Sequence, residues 1–392
     1  MTVLSRRSYI GIAKEVTQGT YVAPTFFIPV TNPIGEDVYV PIRDESLRNN
    51  DTVLQGLYQG VGDSAVSFET MAYPDATGYI LRSVIGPDTV TAGTSTTLAS
   101  NCVAGATSLS LTASVPSNST IQISDATGAN LEWVGVGTVT GAGPYTAPVV
   151  SPSSGTKFAH TAAGGSVISL SSHAFAQSPT AAQVSYSITK YDVATNSGAT
   201  STRGFTGCKL SEVAIKIDPK GAVTLSPKWI GWLSATKPDP TPAFTSLQPI
   251  LGWQWTLTDG GAASTRGLTY DVTYKRTGTE AIHASTGAQG PREVFQGAFE
   301  ADGTLKAIFE SDGDLSLYLN YTQLPVVNAL AQPAPSGGMA LTLTHSRGGL
   351  TKGAVDATGP YLAATYDLSA VYNGTDAGAV TATLTNYSST AY

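Results

Sequence analysis

Short apolar groups alternate with turn residues along most of the chain, and within many of these groups apolar and polar positions alternate one by one. Period-two alternation puts the apolar set on one face of an extended backbone, so it predicts β-strands joined by turns. The pattern begins at Tyr9-Ile10-Gly11-Ile12-Ala13, returns at Phe26-Phe27-Ile28-Pro29-Val30 and Val38-Tyr39-Val40, and is clearest at Ala65-Val66-Ser67-Phe68-Glu69-Thr70. The period changes in two places. Pro74-Asp75-Ala76-Thr77-Gly78 precedes Tyr79, Ile80, Leu81, Val84 and Ile85, and Gly86-Pro87 follows. This predicts a short helix over 79–85 that packs positions 80, 81, 84 and 85 on a sheet. Asp312-Gly313-Asp314 precedes Leu315, Leu317, Tyr318, Leu319 and Tyr321 and predicts a second helix with Asp314 as its cap. Residues 44–60 (DESLRNNDTVLQGLYQG) interrupt the strands: they are polar, and far longer than the ~4–6 residues usual for a connection. They predict a long loop that reaches for a partner.

From about residue 92 to 170 the chain becomes almost pure Gly, Ala, Ser, Thr and Val, yet short alternating runs persist, as in Ser108-Leu109-Ser110-Leu111-Thr112 and Thr120-Ile121-Gln122-Ile123-Ser124. A small all-β sandwich or barrel inserted into a larger domain accounts for this better than a disordered linker. Strands resume after Phe175 at 184–190, 207–217, 222–232, 252–258, 269–276, 293–300 and 304–310. Asp218-Pro219-Lys220-Gly221 predicts a hairpin turn, and Asp302-Gly303 a second. Gly- and Pro-rich stretches at 331–338 and 349–360 set off final strands at 339–344, 361–368 and 379–386. The expected fold class is mainly β: a sandwich or barrel-like domain from 1–91 and 171–392, with one or two short helices and the inserted unit at 92–170.

Composition narrows the function. Charged residues make up 12% of the chain, about half the ~25% typical of soluble domains, which suggests a surface covered by neighbours. The net charge of −7 argues against a reader of nucleic acid, which needs Lys/Arg stripes. No run approaches the ~18 apolar residues of a membrane span. Ser5-Arg6-Arg7-Ser8 is followed by too short an apolar stretch for an export signal, so manufacture in the cytoplasm is expected.

Candidate chemistry is sparse. His160, His173, His283 and His345 have no metal-type spacing, and Cys102 and Cys208 are expected as buried small residues. No GxSxG elbow is present. Glu300, Asp302, Glu310, Asp312 and Asp314 lack the spacing of a calcium loop. They are expected as solvated turn carboxylates or as part of an acidic wall. Trp253 and Trp255, two apart on one predicted strand, fit a core, an interface or a sugar platform. No catalytic, cofactor or metal site is predicted. A β-rich surface protein that binds carbohydrate remains the alternative to a polymer subunit.

One stretch is specific. Residues 9–30, YIGIAKEVTQGTYVAPTFFIPV, resemble the opening of siphophage-type tail tube proteins, and the order of elements over about 1–90 and 172–392 is similar to that family. The resemblance implies a structural subunit of a virion tail, made in the cytoplasm of a bacterial host. It implies six-membered rings of this chain, stacked into a tube that conducts double-stranded DNA without binding it specifically. Tape measure, tail terminator and distal tail proteins are the further implied partners. It also implies loops that bridge rings; by position the candidates are Asp44, Arg48, Asn49, Asn50, Asp51, Gln55 and Tyr58. An acidic lumen would draw on Glu69, Glu300, Asp302 and Glu310.

Overall fold

The computed structural model describes residues 5–125, 130–162, 165–181, 183–193, 200–239 and 241–392. It is built from antiparallel strands in two layers, with a third small sheet set apart. The first layer is a run of eight strands in the order Thr31–Asp44, Gly56–Met71, Thr224–Gly231, Thr200–Ile217, Gly267–Thr277, Ala298–Ile308, Ala363–Ala370 and Ala340–Asp356. The second layer runs Trp255–Asp259, Gln323–Ala331, the first half of Ala340–Asp356, Thr381–Asn386, Ser171–Phe175 and Asp88–Thr91. Ala340–Asp356 is long enough to serve both layers. A further ribbon, Phe26–Ile28, Tyr9–Lys14 and Tyr186–Val193, pairs onto the start of Thr200–Ile217.

The core lies between the layers because alternation delivers apolar side chains there from both. Val213, Ile215, Leu225 and Val272 point inward from one side, Leu330, Leu341, Leu343 and Leu384 from the other. Helix Thr77–Val84 closes one end of this core with Ile80, Leu81, Val84 and Ile85, all fully buried, as the sequence pattern requires. His345 is also inside. Burial drives its imidazole down to about 4, so it sits neutral among the hydroxyls of Tyr270 and Tyr274, 3.3 to 3.4 Å away.

Four expectations are corrected. The Asp302-Gly303 turn does not form: Ala298–Ile308 runs straight through it, paired on both sides. Strand Ala340–Asp356 likewise continues through the Gly-rich 349–356. The second helix is Gly313–Leu319, and its N-cap position is Asp312, so Asp314 lies inside the helix. Trp253 and Trp255 do not share a strand face; Trp253 is in a 3₁₀ turn and exposed, while Trp255 begins a strand and donates its indole N–H to Asn328 at 3.0 Å.

Residues 92–170 carry a separate sheet in the order 95–96, 166–169, 120–124, 132–136, 145–151 and 108–111. The bridge between Leu98 and Leu111, with hydrogen bonds Ala99 to Ser110 and Thr112 to Thr97, joins its two ends into a closed barrel. Closure removes free edges, which a small sheet of Ser and Thr would otherwise expose. The barrel has its own core of Leu109, Leu111, Ile121, Ile123, Val134 and Val167. At one side of it, buried His160 bridges Glu132 (2.6 Å) and Asp125 (3.2 Å).

The stretch 9–30 owes its pattern to packing. Buried Glu15 accepts two hydrogen bonds on each oxygen: Gly19 N–H and Ser185 Oγ on one, Ser187 Oγ and Gly207 N–H on the other, at 2.7 to 2.9 Å. Gly19, at φ +82°, lies against the Trp232 ring so closely that a Cβ would stand 2.2 Å from it. Gly11 packs under Pro24 and Phe27 in the same way.

Candidate assembly surfaces

Strands Thr31–Asp44 and Gly56–Met71 form a hairpin much longer than the layer it belongs to. Its base is fixed. Asp37 accepts from the Ser234 N–H, the Ser234 hydroxyl and Arg203 at 2.6 to 2.9 Å, and the Gly62 N–H donates to Gln289 O at 3.0 Å. Beyond the base the hairpin projects as an arm; Val38, Val40 and Ile42 on it, and Ile34 just before the base on the same face of that strand, are between 46% and 59% exposed. Tyr58, opposite Ile42 in register, and Leu57 are exposed as well, and Leu47 at the tip is fully so. Isolated surface hydrophobics need no explanation, but a continuous apolar ribbon on one arm marks a contact surface.

The arm revises the expected loop. Residues 44–60 are not one long connection: Asp44 ends the first strand, Tyr58 lies within the second, and only 45–55 loop between them. That loop is ordered by its own polar groups. Arg48 pairs with Asp44, whose carboxyl is held below its usual range by the Ser46 hydroxyl and N–H. Asn50 exchanges hydrogen bonds with Gln55 at 2.9 to 3.1 Å and accepts from the Thr52 N–H, while Asn49 takes a left-handed φ of 53°. Asp51 sits at the exposed tip. The seven candidates therefore share one arm, although its apolar strand residues, which sequence reasoning passed over, dominate its surface.

Both edges of the eight-strand layer are free among the described residues. Among the described residues no strand pairs with the outer edge of Thr31–Asp44, nor with Ala340–Asp356 beyond Gly349 on the side away from Ala363–Ala370. Exposed Val355, Tyr361, Leu362, Leu319 and Tyr321 lie on or beside the far-edge strand and helix Gly313–Leu319. Free backbone donors and acceptors beside apolar side chains are what a strand-pairing neighbour uses.

The outer face of the same layer is a shallow trough of about 710 Å³. Glu69, Asp271, Asp302 and Asp367 line it together with Lys216 and Lys275. Of the four acids expected as one group, Glu69 and Asp302 meet here, and Glu300 is two residues from Asp302 on the same strand face. Glu310 does not join them; it lies past the end of the strand at Ile308. The lysines were missed, as were Asp271 and Asp367, because they come from strands distant in sequence. Their signal was the polar half of the alternation in 209–217, 267–277 and 363–370. Cross-strand register interleaves the charges: Lys216 faces Asp271, Lys275 stands between Glu212 and Glu300, and Glu212 pairs with Lys228 at 2.6 Å. Ser369 donates to Asp302 at 2.7 Å and Thr304 to Asp367 at 2.9 Å, fixing two of the carboxylates.

Sequence comparison decides what these surfaces belong to. The chain matches the phage tail tube protein family over residues 5–388. It belongs to that family. Nothing among curated individual proteins matches it. A tail tube protein is a structural component of the virion tail that assembles with other tail proteins, and two free sheet edges with an apolar arm suit that role. Among the described residues of this tail tube protein, no group of three or more His, Cys, Asp or Glu side chains is placed to hold a metal ion. No described helix is long and apolar enough to cross a membrane.

Proposed function

We propose that this tail tube protein, of the siphophage type, polymerises by joining the free arm edge of one copy to the free Ala340–Asp356 edge of the next. The two edges differ, so the contact is head-to-tail and closes into a ring when the rotation per copy divides a full turn; six copies are proposed here. Rings stack through the arms. The trough face then lines the lumen, and DNA slides over alternating carboxylates and lysines that offer no continuous basic track for counterion release. Asp51, Arg48 and the Asn49-Asn50 turn make the ring-to-ring contact at the arm tip. Tape measure, terminator and distal tail proteins take up the lumen and the two ends. The inserted barrel springs from Asp88–Thr91 and Ser171–Phe175 in the second layer, opposite the trough, and decorates the outside.

The observation that carries this reading is the exposed apolar stripe of Ile34, Val38, Val40 and Ile42 on a free sheet edge. Burying one such side chain contributes about 1.5–3 kcal/mol, so several per contact, repeated around a ring, drive polymerisation. Val38→Asp combined with Ile42→Asp is expected to leave the monomer's thermal unfolding unchanged, because neither side chain contributes to the core. The same variant is expected to form no rings or tubes by negative-stain electron microscopy. Tubes of normal length would refute the role of the arm.

A further inference from the structure

Residues 387–392 follow the last strand and belong to no sheet, yet Tyr392 is only 6% exposed. Its ring fills a slot where a Cβ on Gly78 would stand 2.2 Å from it, edge-on to Tyr79 and close to His173. Its N–H donates to Asp88 Oδ2 at 3.0 Å, its main-chain oxygen accepts from Lys14 Nζ at 2.9 Å, and its hydroxyl accepts from Asn386 at 2.6 Å. The segment therefore closes over the junction where Asp88–Thr91 leaves for the inserted barrel and Ser171–Phe175 returns from it.

His173 is the keystone of that closure. Its side chain and that of Asp88 are both wholly buried. Nδ1 faces Asp88 Oδ2 at 3.0 Å and Nε2 faces the carbonyl of Ser388 at 3.0 Å. Both partners are acceptors, so both ring nitrogens must donate, and only the imidazolium carries two N–H groups. A neutral ring leaves one nitrogen lone pair against an oxygen in a dry site, which costs the whole unmade bond.

We infer that residues 387–392 are a proton-dependent latch, docked when His173 is an imidazolium and released when it loses its proton. Asp88 faces the ring from the strand before the barrel, and Ser388, Asn386 and Tyr392 from the segment itself. The other titratable and charged groups of this neighbourhood are Lys14, Asp75, Tyr79, Arg82 and Tyr186. Burial alone pushes the imidazole down, but the hydrogen bond and charge of Asp88 and the Ser388 carbonyl outweigh it and hold it above its ordinary value. The sign follows. Docking is at full strength below the ordinary histidine value of about 6.5, weakens about tenfold per pH unit up to the raised value, and is constant above it. Alkaline conditions thus free residues 387–392 and uncover Tyr79 and Lys14, while the two layers stay folded.

Amide hydrogen exchange from pH 6 to pH 9, expressed as protection factors, tests this on the full chain. Protection of 388–392 is expected to fall once pH passes about 6.5, by at most about tenfold per unit, and then to level off, while 209–217 stays constant. In His173→Gln the same amides are expected to be weakly protected at every pH. Flat protection in the wild type overturns the latch, and so does an unchanged midpoint in His173→Gln or a parallel loss in 209–217. Should His173→Gln fail to fold, the ¹⁵N shifts of the wild-type imidazole decide: a neutral ring at pH 6 overturns the inference, and a doubly protonated one supports it.

Discussion

At the residue scale, this fold buries several polar side chains, and two of them dictate how stability responds to change. Glu15 has four donors for its two oxygens. In Glu15→Gln an NH₂ group must face two of those donors, which leaves buried hydrogen-bonding groups unmet. A loss of about 3 kcal/mol is expected, visible as a lower denaturant midpoint with an unchanged slope. His345 acts through pH. Its folded value of about 4 lies below the ordinary 6.5, so the unfolded chain takes up a proton that the folded chain refuses. Stability from this group is complete above pH 6.5 and falls as pH drops toward 4, by roughly 3 kcal/mol in all. Thermal midpoints measured between pH 7 and pH 4 should show the fall, and His345→Gln should flatten it. His173 works in the opposite sense and locally, its hold on 387–392 weakening as pH rises while the layers stay folded.

At the element scale, the helix Thr77–Val84 shows how a short segment is held by a distant strand. Arg276, from Gly267–Thr277, donates Nε to the Val84 carbonyl and Nη2 to the Ile85 carbonyl, both at 2.6 Å, and its guanidinium packs on Phe299. Burial lowers its pKa to about 10 without discharging it near neutrality. It supplies the charged donors that a helix C-terminus favours. Arg276→Lys keeps a charge but loses the fork, so calorimetry is expected to show a loss of about 1–2 kcal/mol, and Arg276→Ala a larger one. The helix itself was legible because positions 80, 81, 84 and 85 can only share a helical face. The Asp218-Pro219-Lys220-Gly221 turn was legible for its local chemistry. Asp302-Gly303 was misread because that dipeptide favours turns, whereas here Gly303 lies between two strands, where a Cβ would stand 3.1 Å from the Asp271 carbonyl. The arm was half-read: its tip is polar as expected, but Val38, Val40, Ile42 and Tyr58 have the alternation of a strand with no core beneath it. Sequence pattern reports that a face is apolar, not what covers it.

At the scale of the whole molecule, the sheet within 92–170 has its own core, and the junction with the two layers predicts that it can be removed. The last paired residues before the barrel and the first after it are already neighbours: Thr91 is in register with Ser172, and the Thr94 N–H donates to Ser169 Oγ at 2.7 Å. A two-residue Gly-Ser link therefore replaces residues 95–168 without stretching the frame. The barrel core of Leu111, Ile121 and Val134 forms a cluster separate from that of the frame. Contacts between them include Gly135 beside Ala334, Trp133 near Gly337 and Thr120 against Gly338. Excision is expected to leave the frame's unfolding cooperative and its thermal midpoint within a few degrees of the full chain, since distant and independent parts contribute nearly additively. Because no edge or arm residue lies in 95–168, the excised chain should still form tubes, with the same lumen and a thinner wall in cross-section by electron microscopy. Retained tubes of unchanged outer diameter would place the barrel inside the wall, and loss of all assembly would make it part of the ring contact.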